Sequence, residues 1–411
     1  MRSIRKLCKT VSVVLTLTCA ALFIAMALYN DRLPERFQIR PGETLKLSAM
    51  EQITVGAVPP TVPYDTQDGT YNATLRLFGL IPIKEVSVSV AKPRFVELCG
   101  TPFGVKMFTD GVLIVGMTDV DGAGGLINPA KNAGLRIGDV IVSINGVPVM
   151  TNEDVAQLIE SAAGRTISMK IRRKNLEFPL SFQPEKSAAE GKYKAGLWVR
   201  DSSAGIGTLT FIAADTGIAA GLGHGICDVD TGEILPISAG ELVAAEIIAV
   251  TKGAKGKPGE LHGRFTGGYT GALLTNCDTG VYGRLPAEAS TQGSVQIALR
   301  QDVKTGAAKI LTTLDDTGPH YYDCVIERVN YDKNVPTQNM TIRVTDKALL
   351  QQTGGIVQGM SGSPILQNNR LVGAVTHVFI NDSSRGYGIF AENMLLSAAG
   401  LEEAQENKKA S

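Results

Sequence analysis

The sequence predicts a mainly β protein behind one N-terminal helix of membrane-spanning length. Three observations carry this. Residues Val11 to Leu28 form an uncharged apolar run behind Arg2, Arg5, Lys6 and Lys9. Beyond Tyr29 the chain breaks into short alternating segments divided by turns, with 45 Gly in 411 residues. Helical periodicity is confined to a stretch opening at Thr151 and another from Ala391 onward.

The bulk numbers bound the reading. The length allows two or three domains, and 44% apolar residues can build sizeable cores. Lys+Arg and Asp+Glu balance at 40 each, which argues against a nucleic-acid partner.

At about 1.5 Å per residue the first apolar run nearly crosses a hydrocarbon core of about 30 Å. Its basic flank belongs in the cytoplasm, which puts the chain after Tyr29 on the far side. A cleaved signal with Ala25-Met-Ala27 as its small-residue site exports the chain equally well. The run is long for a signal, so residues 1–29 are read as a cytoplasmic flank and uncleaved anchor. Of the six Cys, four lie beyond the anchor (Cys99, Cys227, Cys277 and Cys324), with no C-x-x-C pair. A disulfide is possible in this compartment, and no pairing is assignable.

Residues 30–98 read as a small β-rich spacer. Thr74-Leu-Arg-Leu-Phe-Gly and Val86-Ser-Val-Ser-Val alternate as half-buried strands do. Pro59, Pro60, Pro63 and Asp65 to Gly69 form an exposed loop, and self-cleavage is expected between Tyr29 and about Gly69.

Residues 99–175 change pattern. Val112-Leu-Ile-Val-Gly is a buried strand. Gly134-Leu-Arg-Ile-Gly-Asp-Val-Ile-Val-Ser-Ile-Asn-Gly follows. Thr151 and Asp154 form a capping box for a helix carrying Val155, Leu158 and Ile159. This segment resembles an α+β PDZ domain. The resemblance implies a peptide groove, with Phe103, Gly104 and Val105 in the loop that receives a peptide carboxylate. Residues from about 174 to 192 are polar and read as a linker. Residues 190–400 carry many short strands, as in a barrel or sandwich, and 401–411 form a charged tail.

Chemistry centres on two of the four His and one Ser. His224 stands in Gly221-Leu-Gly-His-Gly, where flanking glycines expose a ring suited to proton transfer. Taken alone it is more simply a turn or core His. Ser361 stands in Gly359-Met-Ser-Gly-Ser-Pro. Such a turn presents Oγ and can aim the N–H groups of Gly359 and Ser361 at one point, an oxyanion hole. Candidates to orient His224 are Asp215, Asp228, Asp230, Asp278, Asp302 and Asp346. His377 reads as a cleft wall or core His. Cys227 follows His224 by three, but no second ligand pair matches it, so no metal or cofactor is expected.

The Ser361 turn resembles that of chymotrypsin-like serine proteases, implying a double β-barrel. Met360 replaces the Asp that pairs with a freshly cut N-terminus in trypsin-like enzymes, so activation by that salt bridge is not expected. Gly355, six before the nucleophile, would sit uncharged at the base of the specificity pocket. The chain from the anchor to about Leu401 resembles a narrower group, the stage IV sporulation protein B peptidases of spore-forming bacteria. Leu77-Phe-Gly-Leu-Ile-Pro-Ile, Pro102-Phe-Gly-Val-Lys-Met-Phe, Gly221-Leu-Gly-His-Gly, Gly354-Gly-Ile-Val-Gln-Gly-Met-Ser-Gly-Ser-Pro and Ala374-Val-Thr-His-Val carry it. That resemblance assigns a triad of His224, Asp346 and Ser361. It implies a signalling protease in the forespore inner membrane, facing the space towards the mother cell. Such a protease cuts itself, then the regulatory subunit of an intramembrane metalloprotease, and triggers late sigma-factor processing. Its other expected partners are peptide substrates and an inhibitor protein. Two competing readings stand beside it. One is a PDZ-carrying scaffold with a dead protease domain. The other is a quality-control protease, which the PDZ-first order disfavours.

Overall fold

The computed structural model describes residues 2–56, 69–174, 176–285 and 292–410. The expected exposed loop, Pro59 to Gly69, lies outside the described residues except for Gly69, and with it that part of the expected self-cleavage region between Tyr29 and Gly69.

The apolar run is one helix, Arg2–Arg32, in which Lys9–Arg32 is long and apolar enough to cross a membrane. The chain then enters a four-stranded sheet of Arg36–Ile39, Ile53–Val55, Thr70–Leu77 and Ile81–Val90. Alternation dictates it: Tyr71, Ala73, Leu75 and Leu77 are buried while Asn72 and Arg76 face water.

Two closed barrels follow, each of six antiparallel strands. In the first, Leu197–Ala213 pairs with Ile218–Gly221, which pairs with Gly280–Arg284; then come Glu260–Cys277, Ile237–Thr251 and Pro102–Met117, which returns to the start. In the second, Gly306–Thr313, Pro319–Val329, Met340–Val344, Asp382–Phe390, Arg370–Phe379 and Pro364–Gln367 close the same kind of circuit. The double barrel implied by the Ser361 turn is therefore present. The N-terminal sheet shares a core with the second barrel.

The PDZ unit is spliced into the first barrel. Pro102–Met117 leaves the barrel near Asp110 and pairs onward with Val140–Ile144, while Leu197–Ala213 brings the chain back. Its own core holds Val112, Ile141, Val155, Ile159, Ile167 and Phe182. Three sequence expectations need correction. First, Phe103 and Val105 are 1% and 2% exposed in the first barrel's core, and a Cβ on Gly104 would lie 2.3 Å from the Phe265 ring. These residues cannot receive a peptide, and the PDZ boundary moves from residue 99 to about 110. Alternation was the missed signal: Phe103, Val105 and Met107 face inward as one strand. Second, the supposed linker contains strand Leu176–Phe182, paired with Ile167–Arg173. Pro179 and the surrounding charges hid a hairpin. Third, the tail continues the helix Ala391–Ala410.

The free side of the groove lies elsewhere. Leu197 to Arg200 pair along one edge with Leu113 to Met117, and their other edge meets no strand among the described residues. Beside that edge runs helix Asn152–Ser161, and the two border a cavity of about 900 Å³ lined by Val155, Ile159 and Trp198. The Thr151–Asp154 capping box is formed as the sequence predicts.

Candidate active site

Each barrel contributes one reactive side chain. His224 follows strand Ile218–Gly221 of the first; Ser361 precedes strand Pro364–Gln367 of the second. Local sterics dictate both turns. Leu222 and Gly223 take left-handed φ of +65° and +71°. For Leu this is disfavoured, and packing holds it: Leu222 fills the notch left by Gly207, where a Cβ would come within 1.9 Å of Leu222 Cδ2. In the Ser loop, Gly359 and Gly362 have φ of +94° and +93°.

Thr208 ties the two turns together, and sequence reading missed it. Its N–H donates to Ser361 O (2.9 Å), its hydroxyl to Gly359 O (2.9 Å), and its carbonyl accepts from Leu222 N (3.2 Å). Thr210 adds a bond to Gly362 O (2.7 Å). A buried Thr in an alternating strand has no sequence signature that separates it from ordinary core.

The Ser loop presents open donors. Met360, Gly362 and Ser363 spend their N–H groups on protein carbonyls; among the described residues those of Gly359 and Ser361 do not. The side chain of Met360 is wholly buried, so it anchors the loop from within. Ser361 Oγ donates to Thr376 O at 2.7 Å.

The His224 ring is held by a backbone group. Nδ1 lies 2.8 Å from Gly225 O, which can only accept, so Nδ1 carries the proton and Nε2 is left basic. His377 packs against the ring with centroids 4.6 Å apart. Burial lowers the His224 pKa from the ordinary value, outweighing the Gly225 bond. His377 is exposed by surface area, yet the protein around its ring and the neighbouring His224 bring it down to about 4. Both rings are neutral at pH 7, and His224 is competent as a base. A pH profile of kcat/KM should therefore keep its acid limb below pH 6.5, the ordinary His value. Replacing His377 with Asn uncovers His224, so the limb should move up towards 6.5. A wild-type limb at or above 6.5, or one unmoved in the variant, would contradict this. The stability contribution has the same sign. It is present above the unfolded-state pKa and declines as pH falls towards 4.

No carboxylate pairs with His224 among the described residues. Asp346, assigned to the triad by resemblance, instead caps helix Lys347–Thr353. Its Oδ1 accepts from Ala348 N (2.9 Å) and Leu349 N (3.1 Å), and Oδ2 from Asp323 N (3.3 Å). Asp228 is buried and paired with Arg200, Asp230 pairs with Arg200, and Asp302 pairs with Arg40. Asp215 and Asp278 are exposed. Asp346 thus acts on the helix that feeds the Ser loop. Asp346→Ala should cost about 1 kcal/mol of stability, while Asn, itself a good cap, should cost little. Activity of the Asn variant should stay within a few-fold of wild type. A collapse of kcat in a stable Asn variant would restore Asp346 to the triad.

Paired barrels that carry His224 and Ser361 on turns joined through Thr208, with open donors at the Ser loop and an inserted PDZ unit, define a chymotrypsin-like double-barrel protease fold. Residues 191–395 belong to the SpoIVB peptidase S55 family, and residues 128–173 match the PDZ domain family. Among curated proteins, Serine protease HTRA1 of Xenopus tropicalis is 41% identical over 58 residues, 14% of this chain and 12% of that protein. The Xenopus laevis counterpart is 40% identical over the same length. The match thus spans about an eighth of those relatives. Among solved structures, the HtrA-type protease AlgW with decapeptide aligns at 13% identity and TM-score 0.31, over 50% of this chain and 55% of its own. The inactive form of the Rv3671c protease aligns at 14% and 0.28, over 48% and 84%. The PDZ domain of an SdrC-like protein from Listeria monocytogenes aligns at 20% and 0.19, over 22% and 87%.

Proposed function

We propose that this chain is a membrane-anchored signalling endopeptidase with Ser361 as nucleophile, His224 as general base and the N–H groups of Gly359 and Ser361 as oxyanion hole. The observation that carries the reading is the Ser361 turn, where a hydroxyl and two uncommitted N–H groups come together while Thr208 holds the His224 turn alongside. Substrate binding breaks the Ser361–Thr376 bond and turns Oγ towards His224 Nε2. His224 takes the proton as Oγ attacks the scissile carbonyl, then gives it to the leaving amine. The two N–H groups receive the developing oxyanion.

The substrates are the chain itself, upstream of the PDZ unit, and then a regulatory membrane protein that restrains an intramembrane metalloprotease. That second cut leads to late mother-cell sigma-factor processing in a sporulating cell, with the enzyme in the forespore inner membrane and facing the intervening space. Family membership and the N-terminal helix support this setting. Partner C-termini or an inhibitor protein would bind as an added strand along Leu197 to Arg200.

The test is to express the chain with candidate partner proteins and sequence the new N-termini. A cut between Tyr29 and Gly69 that Ser361→Ala abolishes supports the reading; cutting that persists in that variant opposes it. With Gly355 uncharged at the pocket base, the mapped sites should show no consistent Lys or Arg before the cut. A basic residue at every site would overturn that specificity.

A further inference from the structure

The hairpin between Thr70–Leu77 and Ile81–Val90 ends in a turn that wastes two apolar side chains on solvent. Phe78 is 68% and Leu80 79% exposed. Leu80 N donates to Leu77 O at 3.1 Å, and Phe78 and Gly79 have φ of +51° and +74°. This is the turn type that selects Asn-Gly, and a bulky aromatic at its first position is an outlier. The sheet holds it there, through Phe78 N donating to Gln52 O at 2.7 Å, and strain of this kind clusters at functional sites.

The topology fixes which way the tip points. The chain leaves the anchor helix at Arg32 and runs away from it along Arg36–Ile39, parallel to Ser87 through Val90. Earlier residues of Ile81–Val90 therefore lie back towards the anchor. Lys84 sets the level: its Nζ donates to Asn30 O and Leu33 O, both at 2.7 Å, at the helix C-terminus. Leu80 is four residues before Lys84, about 13 Å back at 3.3 Å per residue. The helix records a neighbour over the same depth. Leu22, Ala25, Met26 and Tyr29 lie on one face and are half-buried, while the rest of Lys9–Asn30 is exposed, and the helix contacts strand Ile81–Val90. Leu22 lies seven residues, about 10 Å, below Tyr29.

We propose that the tip Phe78–Leu80 is a second membrane contact, inserted in the bilayer interface beside the anchor helix. This rests on the reading that the helix stays in the membrane. At the level of Leu22, about 9 Å inside the end of the apolar run at Leu28, the aromatic and the Leu reach the outer acyl chains, and exposed Arg76 further back along the strand lies nearer the headgroups. The attachment has a mechanical consequence. The N-terminal sheet shares its core with the second barrel, so two membrane contacts fix the orientation in which Ser361 faces a membrane-bound partner.

The test uses the full chain in phospholipid vesicles with Ser361→Ala to keep it whole. Trp198, the single Trp, is replaced by Phe, and one new Trp is placed as Phe78→Trp or, for reference, as Phe23→Trp within the anchor. Brominated lipids should quench both reporters, and the Phe78→Trp emission should shift to shorter wavelength on reconstitution. Quenching at position 23 with water-like, unquenched emission at 78 overturns the tip contact and leaves the anchor standing. A blue shift at 78 without quenching also overturns it, and assigns the tip to a protein surface. Failure of both reporters to be quenched removes the anchor reading and this proposal with it.

Discussion

Replacing Ser361 with Ala should lower turnover by something on the order of 10⁶-fold while costing only about 1 kcal/mol of stability. Among the described residues the side chain makes one hydrogen bond, to the carbonyl of buried Thr376, and its loss should cost about 1 kcal/mol. The loop itself is held by backbone bonds to Thr208, Val357 and Val375, none of which needs the hydroxyl. Chemistry and fold are therefore separable at this position. Peptide hydrolysis by the purified variant should approach background, with an unfolding midpoint only slightly below that of wild type. Residual activity above about one per cent of wild type would mean that another group attacks.

The second large effect is structural. Gly362→Ala would place a Cβ 1.9 Å from Thr208 O and 2.5 Å from Leu222 N, at a φ of +93°. Both obstacles are backbone atoms, so no side chain can swing aside. The collision falls on the residue that joins the His224 and Ser361 turns, so the two barrels would have to part where they must register. We expect a loss of more than about 3 kcal/mol and no measurable peptidase activity. Gly205→Ala is the comparison, since nothing lies within 4 Å of its added carbon. It should be nearly neutral in a denaturant melt. Equal midpoints for the two variants would show that the Thr208 junction tolerates displacement.

Much of this site was legible in the chain because its chemistry needs special backbone. Gly221-Leu-Gly-His-Gly and Gly359-Met-Ser-Gly-Ser-Pro announce turns that only glycine-rich sequence can make, and the reactive groups sit on those turns. The N-terminal membrane-length helix was legible by length and apolarity, and the PDZ unit by its glycine-punctuated strand and capped helix. What was hidden depends on partners distant in sequence. Pro102 to Val105 look the same whether they edge a peptide groove or join a barrel. Only pairing with Gly205 to Thr208 and Val243 to Ala244 decides. Asp346 is a triad carboxylate by family resemblance. Its neighbours Lys347 to Leu349 turn it into a helix cap, because a short polar side chain just before a helix finds unpaired N–H groups first. The role a triad Asp would fill, fixing the His tautomer, falls to Gly225 O, and a backbone carbonyl leaves no mark in a sequence.

The central claim is that Ser361, activated by His224, is the nucleophile. Labelling the full chain with a fluorophosphonate and locating the adduct by mass spectrometry tests it most directly. The account predicts one adduct, on Ser361, formed at a rate that rises with pH through the depressed His224 titration and lost in His224→Gln. An adduct on another residue, or labelling of Ser361 at the same rate without His224, would contradict it.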